Sequence, residues 1–190
     1  MTPTSTKPTT LIALRHGGTH LIQPIIRHLT DKPVHVPKGR DALECVPSPK
    51  LVIFLRDPRN RMVSMLRYKQ PKMVPAVADE ALAAMIAKPK KGVLPVEFML
   101  QWAARWASHE TGLIVRFEQL MDAPLHEVEK LRAYLDAPGS AQAAVDYTLG
   151  KSGTFTGRHS RWREWFGPLS TKAWYEAGGD TLVPLMGYEK

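Results

Sequence analysis

Glycine, histidine and arginine residues stand together directly after the first apolar run of the sequence. The run Leu11–Leu14 is followed by Arg15-His16-Gly17-Gly18-Thr19-His20, after which apolar residues recur at helical spacing. Two glycines between a strand and a helix allow backbone N–H groups to converge on an anion at the helix N-terminus, and the Thr19 hydroxyl adds a donor. The pattern predicts a phosphate-binding turn, with a plain strand-to-helix connection as the alternative. It differs from a Walker A loop, because the Gly-x-x-x-x-Gly-Lys-Ser/Thr pattern is missing.

A second group of cationic side chains follows the most apolar strand of the sequence. The run Lys50–Leu55 is typical of a strand buried on both faces of a parallel sheet, and it ends at Arg56-Asp57-Pro58-x-x-Arg61-x-x-Ser64. An arginine at the carboxyl end of such a strand lies where open α/β sheets bind ligands, and Ser64 on the next helix can contact the same phosphate. A structural salt bridge from Arg56 to Asp57 or Glu118 is the alternative.

Short apolar runs alternate with helical patterns along the chain. We predict strands over residues 11–14, 33–36, 50–55 and 112–117, and helices after Thr19 and over residues 60–68, 76–87, 96–109 and 125–135. This alternation argues for a three-layer α/β fold with a central, mostly parallel sheet flanked by helices. We assign residues 1–10 to a flexible N-terminal tail and residues 11–190 to a single domain.

The composition limits the partners and the compartment. The 190 residues carry a formal net charge of +8, which favours an anionic partner such as nucleic acid, an anionic membrane surface or a polyphosphorylated small molecule. The one cysteine, Cys45, excludes an internal disulfide and suits a reducing compartment, so we predict a cytoplasmic protein. No apolar stretch reaches the roughly 18 to 20 residues that span a bilayer, so we expect no membrane span.

Five segments, taken in order along the chain, resemble the PAPS-dependent sulfotransferase family, whose donor is 3'-phosphoadenosine-5'-phosphosulfate (PAPS). Arg15–His20 is similar to the loop that grips the 5'-phosphosulfate, and Lys50–Ser64 to the strand and helix start that hold the 3'-phosphate. Three further similarities are the strand end and Asp-x-Pro turn in Ile114–Pro124, the late loop Gly157–Phe166 and the segment Leu185–Glu189.

The resemblance implies a P-loop-NTPase-like sulfotransferase fold, with PAPS as co-substrate, adenosine 3',5'-bisphosphate (PAP) as product and no metal. The donor would be held at two places, one around its 5'-phosphosulfate and one around its 3'-phosphate. The implied residues are Arg15, His16, Gly17, Gly18, Thr19 and His20 at the first place, and Arg56, Ser64, Gly157 and Arg158 at the second. The transfer would be an in-line displacement helped by positioning and by electrostatic donors.

One position departs from the family pattern, and one catalytic role stays open within it. His16 stands where the family has a lysine, so we expect His16 to act as an acid toward the leaving group, with Arg15 as the substitute cation if His16 is neutral. For the general base that deprotonates the acceptor we favour His35, with Glu44 and His20 as alternatives.

A further departure concerns the adenine of the donor. Leu21 stands where the family often has a tryptophan that stacks on adenine, which leaves Trp162 and Phe155 as candidate contacts.

We therefore predict a sulfotransferase that moves the sulfuryl group of PAPS to a hydroxyl or an amine of an acceptor that the sequence does not identify. The alternatives are a non-catalytic PAPS- or PAP-binding module of the same fold and a basic nucleic-acid-binding protein. Nucleic acid ranks below the nucleotide, because the arginines fall at strand ends and in loops rather than along one helix face. The sequence indicates no oligomeric state.

Overall fold

The structure, a computed structural model, describes residues 8–46, 48–90, 92–149 and 162–189. These residues form two compact units. The first unit contains the described residues of Met1–Leu55 and His109–Arg158, and the second contains those of Arg56–Ser108 and His159–Lys190. The single domain expected over residues 11–190 stays a prediction.

The first unit is built on one parallel sheet. Its strands are β1 (Thr9–Ala13), β2 (Val34–His35), β3 (Leu51–Leu55) and β4 (Leu113–Arg116), arranged side by side in the order β2-β1-β3-β4 with all neighbours parallel. All four strands lie within or next to the predicted runs. Since β1 begins at Thr9, residues 9 and 10 belong to the sheet and not to the tail predicted over residues 1–10.

Helices connect and flank the strands, which confirms the α/β fold with a parallel sheet. In chain order the helices are α1 (Thr19–Thr30), α2 (Asp41–Glu44), α3 (Pro58–Lys69), α4 (Asp79–Ala87), α5 (Pro95–Trp106), α6 (Phe117–Asp122), α7 (Pro124–Leu135), α8 (Ala141–Thr148), α9 (Trp162–Trp165), α10 (Pro168–Glu176) and α11 (Gly179–Leu185), with a 3-10 turn at Pro75–Val77.

The core of the first unit lies between one face of the sheet and the helices α1, α6, α7 and α8. Side chains alternate between the two faces of a strand, so every second residue of β1 and β3 meets the same helices. Burying each large aliphatic side chain contributes roughly 1.5–3 kcal/mol, which makes the apolar stripe of α1 a main source of stability. The stripe consists of Leu21, Ile22, Ile25, Ile26 and Leu29, and it packs with Leu11, Ala13, Val52, Phe54 and Val115 of the sheet and with residues of α7 and α8.

The strand register brings the carboxyl ends of three strands to one edge of the sheet. Ala13 of β1 pairs with Phe54 of β3, and Leu55 pairs with Arg116 of β4. Because the strands are parallel, the chain leaves β1, β3 and β4 at this same edge. Open α/β sheets bind their ligands at such an edge.

The second unit is helical and contains α3–α5 and α9–α11. Its core includes Trp102 and Trp106 of α5, each 1% exposed, together with Trp165 and Trp174. Helix α10 packs on α4. These tryptophans are buried packing residues.

One carboxylate joins α4 to α10. Asp79 accepts hydrogen bonds from the backbone N–H groups of Gly167 (3.1 Å), Leu169 (3.0 Å) and Ser170 (2.7 Å), and from the Ser170 hydroxyl (2.6 Å). The first N–H groups of a helix have no intrahelical acceptor, so Asp79 caps α10 from a distant part of the chain. Burial alone would raise the pKa of Asp79, but the hydrogen bonds outweigh it and the pKa is lowered.

Replacing Asp79 by alanine should destabilise the second unit. We expect Asp79→Ala to lower the free energy of unfolding by about 1–2 kcal/mol, since it removes a helix cap. The lowered pKa means that this stabilisation is complete above the ordinary value of 3.8 and is lost as the pH falls through the folded-state pKa. Denaturant unfolding should show that Asp79→Ala is less stable than the wild type at pH 7, and that this difference is lost in acid, below the folded-state pKa of Asp79. Glu80→Ala, at an exposed position of the same helix turn, is the control, and an equal loss in both variants would contradict the cap.

Candidate functional site

The turn after β1 is held in a conformation that few residues adopt. The N–H of Gly17 donates to the carbonyl of Leu14 at 2.9 Å, which closes the turn. A β-carbon on Gly17 would lie 2.7 Å from that carbonyl oxygen, so a side chain there would collide with backbone. His16 has a φ of 63°, in the left-handed region, where histidine is one of the more tolerated non-glycine residues. Arg15 beside it is exposed.

Gly18 completes the turn and begins α1. Its φ is 99°, and a β-carbon would lie 2.8 Å from Phe117 Cδ2 and 3.0 Å from Phe54 Cε1. Its carbonyl accepts the N–H groups of Leu21 (2.8 Å) and Ile22 (3.3 Å). Both the backbone angle and the close aromatic rings therefore require glycine at this position.

The start of α1 is a place where an anion can be bound. The N–H groups of Thr19 and His20 precede the first intrahelical hydrogen bonds, and the helix dipole places partial positive charge there. No acidic residue lies in the first turn of α1. Thr19 is half-buried and His20 is exposed. The structure thus brings the first group of predicted donor residues together in one turn.

Arg56 and Ser64 of the second predicted group belong to the second unit. Arg56, which directly follows β3 along the chain, is 9% exposed, and Ser64 is half-buried on α3. Asp57, one of the two salt-bridge partners we considered for Arg56, is bound by Arg59: Nε donates to Oδ1 at 3.0 Å and Nη2 to Oδ2 at 2.8 Å. Asp57 also caps α3 by accepting the Arg59 N–H at 2.8 Å.

Trp162 packs against the first turn of α3. The guanidinium of Arg59 lies 4.1 Å from the centre of its ring and that of Arg163 lies 4.6 Å from it. Its backbone N–H donates to the side-chain oxygen of Asn60 at 3.0 Å. The ring we considered for adenine thus already stacks with two cations of its own unit, while Phe155, Gly157 and Arg158 lie outside the described residues.

A cavity of about 460 Å³ in the first unit brings together two of the three candidate bases. It extends from the end of β2 to the residues after α2, and His35 and Glu44 both line it. The sequence could not predict that these two side chains line one cavity, because they are nine positions apart and α2 is only one turn long. The other polar lining residues include Lys38, Asp41 and Cys45.

The register of β2 places His35 farther from the carboxyl ends of the strands than we expected. His35 pairs with Thr10, three residues before the end of β1 at Ala13. At about 3.3 Å per residue, its backbone lies about 10 Å from that end along the strand direction. His35 therefore lies away from the end of β1, and Glu44, the last residue of α2, lines the same cavity.

Over the ranges from residue 8 to 189 that the structure describes, no three His, Cys, Asp or Glu side chains form a group that could hold a metal ion. None of the helices in those ranges is long and apolar enough to cross a membrane.

Known structures share this fold. The chain resembles the crystal structure of mouse sulfotransferase SULT7A1 complexed with PAP, with a TM-score of 0.64 over 98% of this chain and 90% of that chain, at 13% sequence identity. At this identity the likeness shows the fold alone, which is therefore a sulfotransferase-like α/β fold. The sequence itself matches no protein-family model and no curated protein.

Adding a β-carbon at Gly18 should disrupt the turn. We expect Gly18→Ala to lower the free energy of unfolding by at least about 3 kcal/mol, because it combines a left-handed backbone angle with overpacking against two rings. Gly39→Ala is the matched control, since Gly39 also has a positive φ of 58° but open space around it. Gly39→Ala should lower the free energy of unfolding by about 1 kcal/mol. Denaturant unfolding measures both, and equal losses would show that the rings of Phe54 and Phe117 do not constrain the turn.

Proposed function

We propose that this protein is a sulfotransferase that moves the sulfuryl group of PAPS to a hydroxyl or an amine. The observation that carries the proposal is the glycine turn before α1, in which both glycines exclude any side chain and leave the helix N-terminus open to an anion. Its support from outside the chain is a fold shared with a sulfotransferase that was crystallised with PAP.

In this proposal the turn holds the 5'-phosphosulfate. The N–H groups of Gly18 and Thr19 and the hydroxyl of Thr19 would donate to its oxygens, as backbone groups do at other phosphate sites, while Gly17, whose N–H donates to the Leu14 carbonyl, would shape the turn around them. Arg15, His16 and His20 would add positive charge. The absence of acidic residues from the first turn of α1 supports a site for a negative group.

The 3'-phosphate would be held by Arg56 and Ser64, with Gly157 and Arg158 as the further residues that the family resemblance implies. Arg56 is almost fully buried, and a buried guanidinium favours a fully charged, hydrogen-bonding partner. Ser64 lies two turns into α3, half-buried, and offers a hydroxyl donor.

Transfer would proceed by in-line attack of the acceptor on sulfur. The acceptor–sulfur bond forms as the bond from sulfur to the bridging oxygen breaks, and PAP leaves with the electron pair of that bond. His16 would donate a proton to the leaving group or stabilise its negative charge, with Arg15 as the alternative cation. His35 would accept the acceptor proton, with Glu44 on the same cavity and His20 as the alternatives.

A non-catalytic nucleotide-binding module is the second candidate function. It is favoured by His16, which stands in place of a lysine and in a left-handed backbone conformation. Both candidates bind PAP, and only the enzyme consumes PAPS when an acceptor is present. In either case we propose a cytoplasmic protein whose partner is the nucleotide.

Calorimetric titration with PAP and with AMP tests the donor site. We expect PAP to bind at least about tenfold more tightly than AMP, since a charge-assisted hydrogen bond contributes about 1.5–3 kcal/mol. Arg56→Ala should remove this preference, whereas Arg67→Ala, at an exposed arginine of α3, should keep it. Equal affinities for PAP and AMP in the wild type would overturn the proposal and lead back to nucleic acid, whose binding would fall steeply with salt.

A turnover assay separates the enzyme from the binding module and identifies the base. PAP formation from PAPS is followed with panels of phenols, sugars and amines. We expect either His35→Ala or Glu44→Gln to lower kcat by about 10²–10⁴-fold while PAP affinity is unchanged. Cys45→Ser, in the same cavity, controls for disturbance of the lining. If neither substitution lowers kcat, both assignments are wrong.

The same assay decides the role of His16. An acid toward the leaving group must be protonated, so the wild-type rate should fall as the pH rises past neutrality, and His16→Lys should extend the active range upward. A full rate in His16→Lys together with a pH-independent wild type would exclude this role.

A further inference from the structure

The cavity beside β2 has the size of a small-molecule site. Its volume is about 460 Å³, within the range of roughly 300–1,000 Å³ that is usual for ligand pockets. Its lining residues all lie between His35 and Val46, and so belong to the first unit. In the proposed function this cavity receives the acceptor, because two candidate bases line it. The acceptor is therefore the molecule whose chemistry the lining can restrict.

The net charge of the lining is opposite in sign to the net charge of the chain. Asp41 and Glu44 supply two negative charges and Lys38 supplies one positive charge, so the lining carries a formal net charge of −1 with histidine counted as neutral. The whole chain carries +8. A lining of this sign disfavours the anionic donor and favours a cation. The cavity thus selects a different charge from the one that the donor carries.

Asp41 is the carboxylate in this cavity to which the proposed function gives no role. It is exposed and is the first residue of α2, and Glu44 is the last. Residues three positions apart on a helix have β-carbons roughly 5–6 Å apart, so the two carboxylates are neighbours on one side of α2. Within the described residues, the Asp41 side chain forms no ion pair or hydrogen bond, although Lys38 also lines the cavity. Its carboxylate oxygens can therefore accept a hydrogen bond from a ligand.

Apolar side chains complete the lining. Val36, Pro37 and Val46 contribute to it, and Val46 is 88% exposed. Contact between Val46 and the hydrocarbon part of a ligand is favourable, since it removes apolar surface from water. The lining thus suits a molecule that has a carbon frame between its polar groups.

We propose that the acceptor is a hydroxylated amine whose protonated nitrogen binds Asp41, with its hydroxyl directed to His35 or Glu44. This inference rests on the proposed function and narrows its acceptor class. A protonated amine has no free electron pair and cannot attack sulfur, so the nitrogen is the anchor and the hydroxyl oxygen is the nucleophile. The bond from this oxygen to sulfur forms as the bond from sulfur to the bridging oxygen breaks, and the hydroxyl proton passes to the base.

Binding of two matched ring compounds tests the anchor in the absence of the donor. The compounds trans-4-aminocyclohexanol and trans-4-methylcyclohexanol share the ring and the hydroxyl, and differ by an ammonium in place of a methyl group. Ligand-detected NMR titration should show that the wild type binds the amine about threefold to fivefold more tightly, the upper range of an exposed ion pair, and that added salt lowers this preference. Asp41→Asn should abolish the preference. Asp31→Asn is the control, because Asp31 is an exposed carboxylate of the same unit outside the cavity lining, and asparagine tolerates its φ of 50°.

Equal affinities of the wild type for the two compounds would overturn the inference, as would a preference in Asp41→Asn as large as that of the wild type. Asp41→Ser replaces the asparagine variant if the latter does not fold. The turnover assay separates this inference from the proposed function. An amine preference that depends on Asp41, without PAP formation from PAPS with any acceptor, would retain the amine site and discard the sulfotransferase. PAP formation without an amine preference in binding would retain the sulfotransferase and discard the inference.

Discussion

The contact of Gly18 with two aromatic rings fixes the glycine turn to the sheet. Phe54 belongs to β3 and Phe117 begins α6, and their rings meet edge to face with centres 6.3 Å apart. The backbone of Gly18 packs against both, so the position of the turn follows from the pairing of β3 with β1 and β4. Without that approach, the first N–H groups of α1 would have no defined orientation toward the edge of the sheet.

The two places at which we propose that the donor is held differ in the kind of group that would bind an anion. In the first unit the donors are backbone N–H groups, whose polarity carries no net charge and needs no counterion when the site is empty. At the second place the proposed side-chain donors are Arg56, which is 9% exposed, and the half-buried Ser64. Backbone donors select an anion mainly by geometry, whereas a guanidinium also selects it by charge.

The sequence predicted the sheet better than the site. All four strands were found because continuous apolar runs such as Leu51–Leu55 have one main interpretation, a buried parallel strand. Helices α8, α10 and α11 were not predicted, since they are short and alanine- or polar-rich and depend on tertiary packing.

Contacts between distant parts of the chain could not be predicted from local sequence patterns. The cap of α10 by Asp79 joins residues about ninety positions apart, and no local pattern encodes it. The motif Arg56–Ser64 predicts candidate residues, but the sequence does not show that Arg61 is buried while Arg67 on the same helix is exposed.

Cys45 gives the cavity beside β2 a practical use. It is the one cysteine of the chain and it lines that cavity, so a thiol-directed fluorophore would attach at a single, known position. Its emission would respond to any molecule that enters, whether or not chemistry follows. Libraries of candidate acceptors could then be sorted optically, before a product is known.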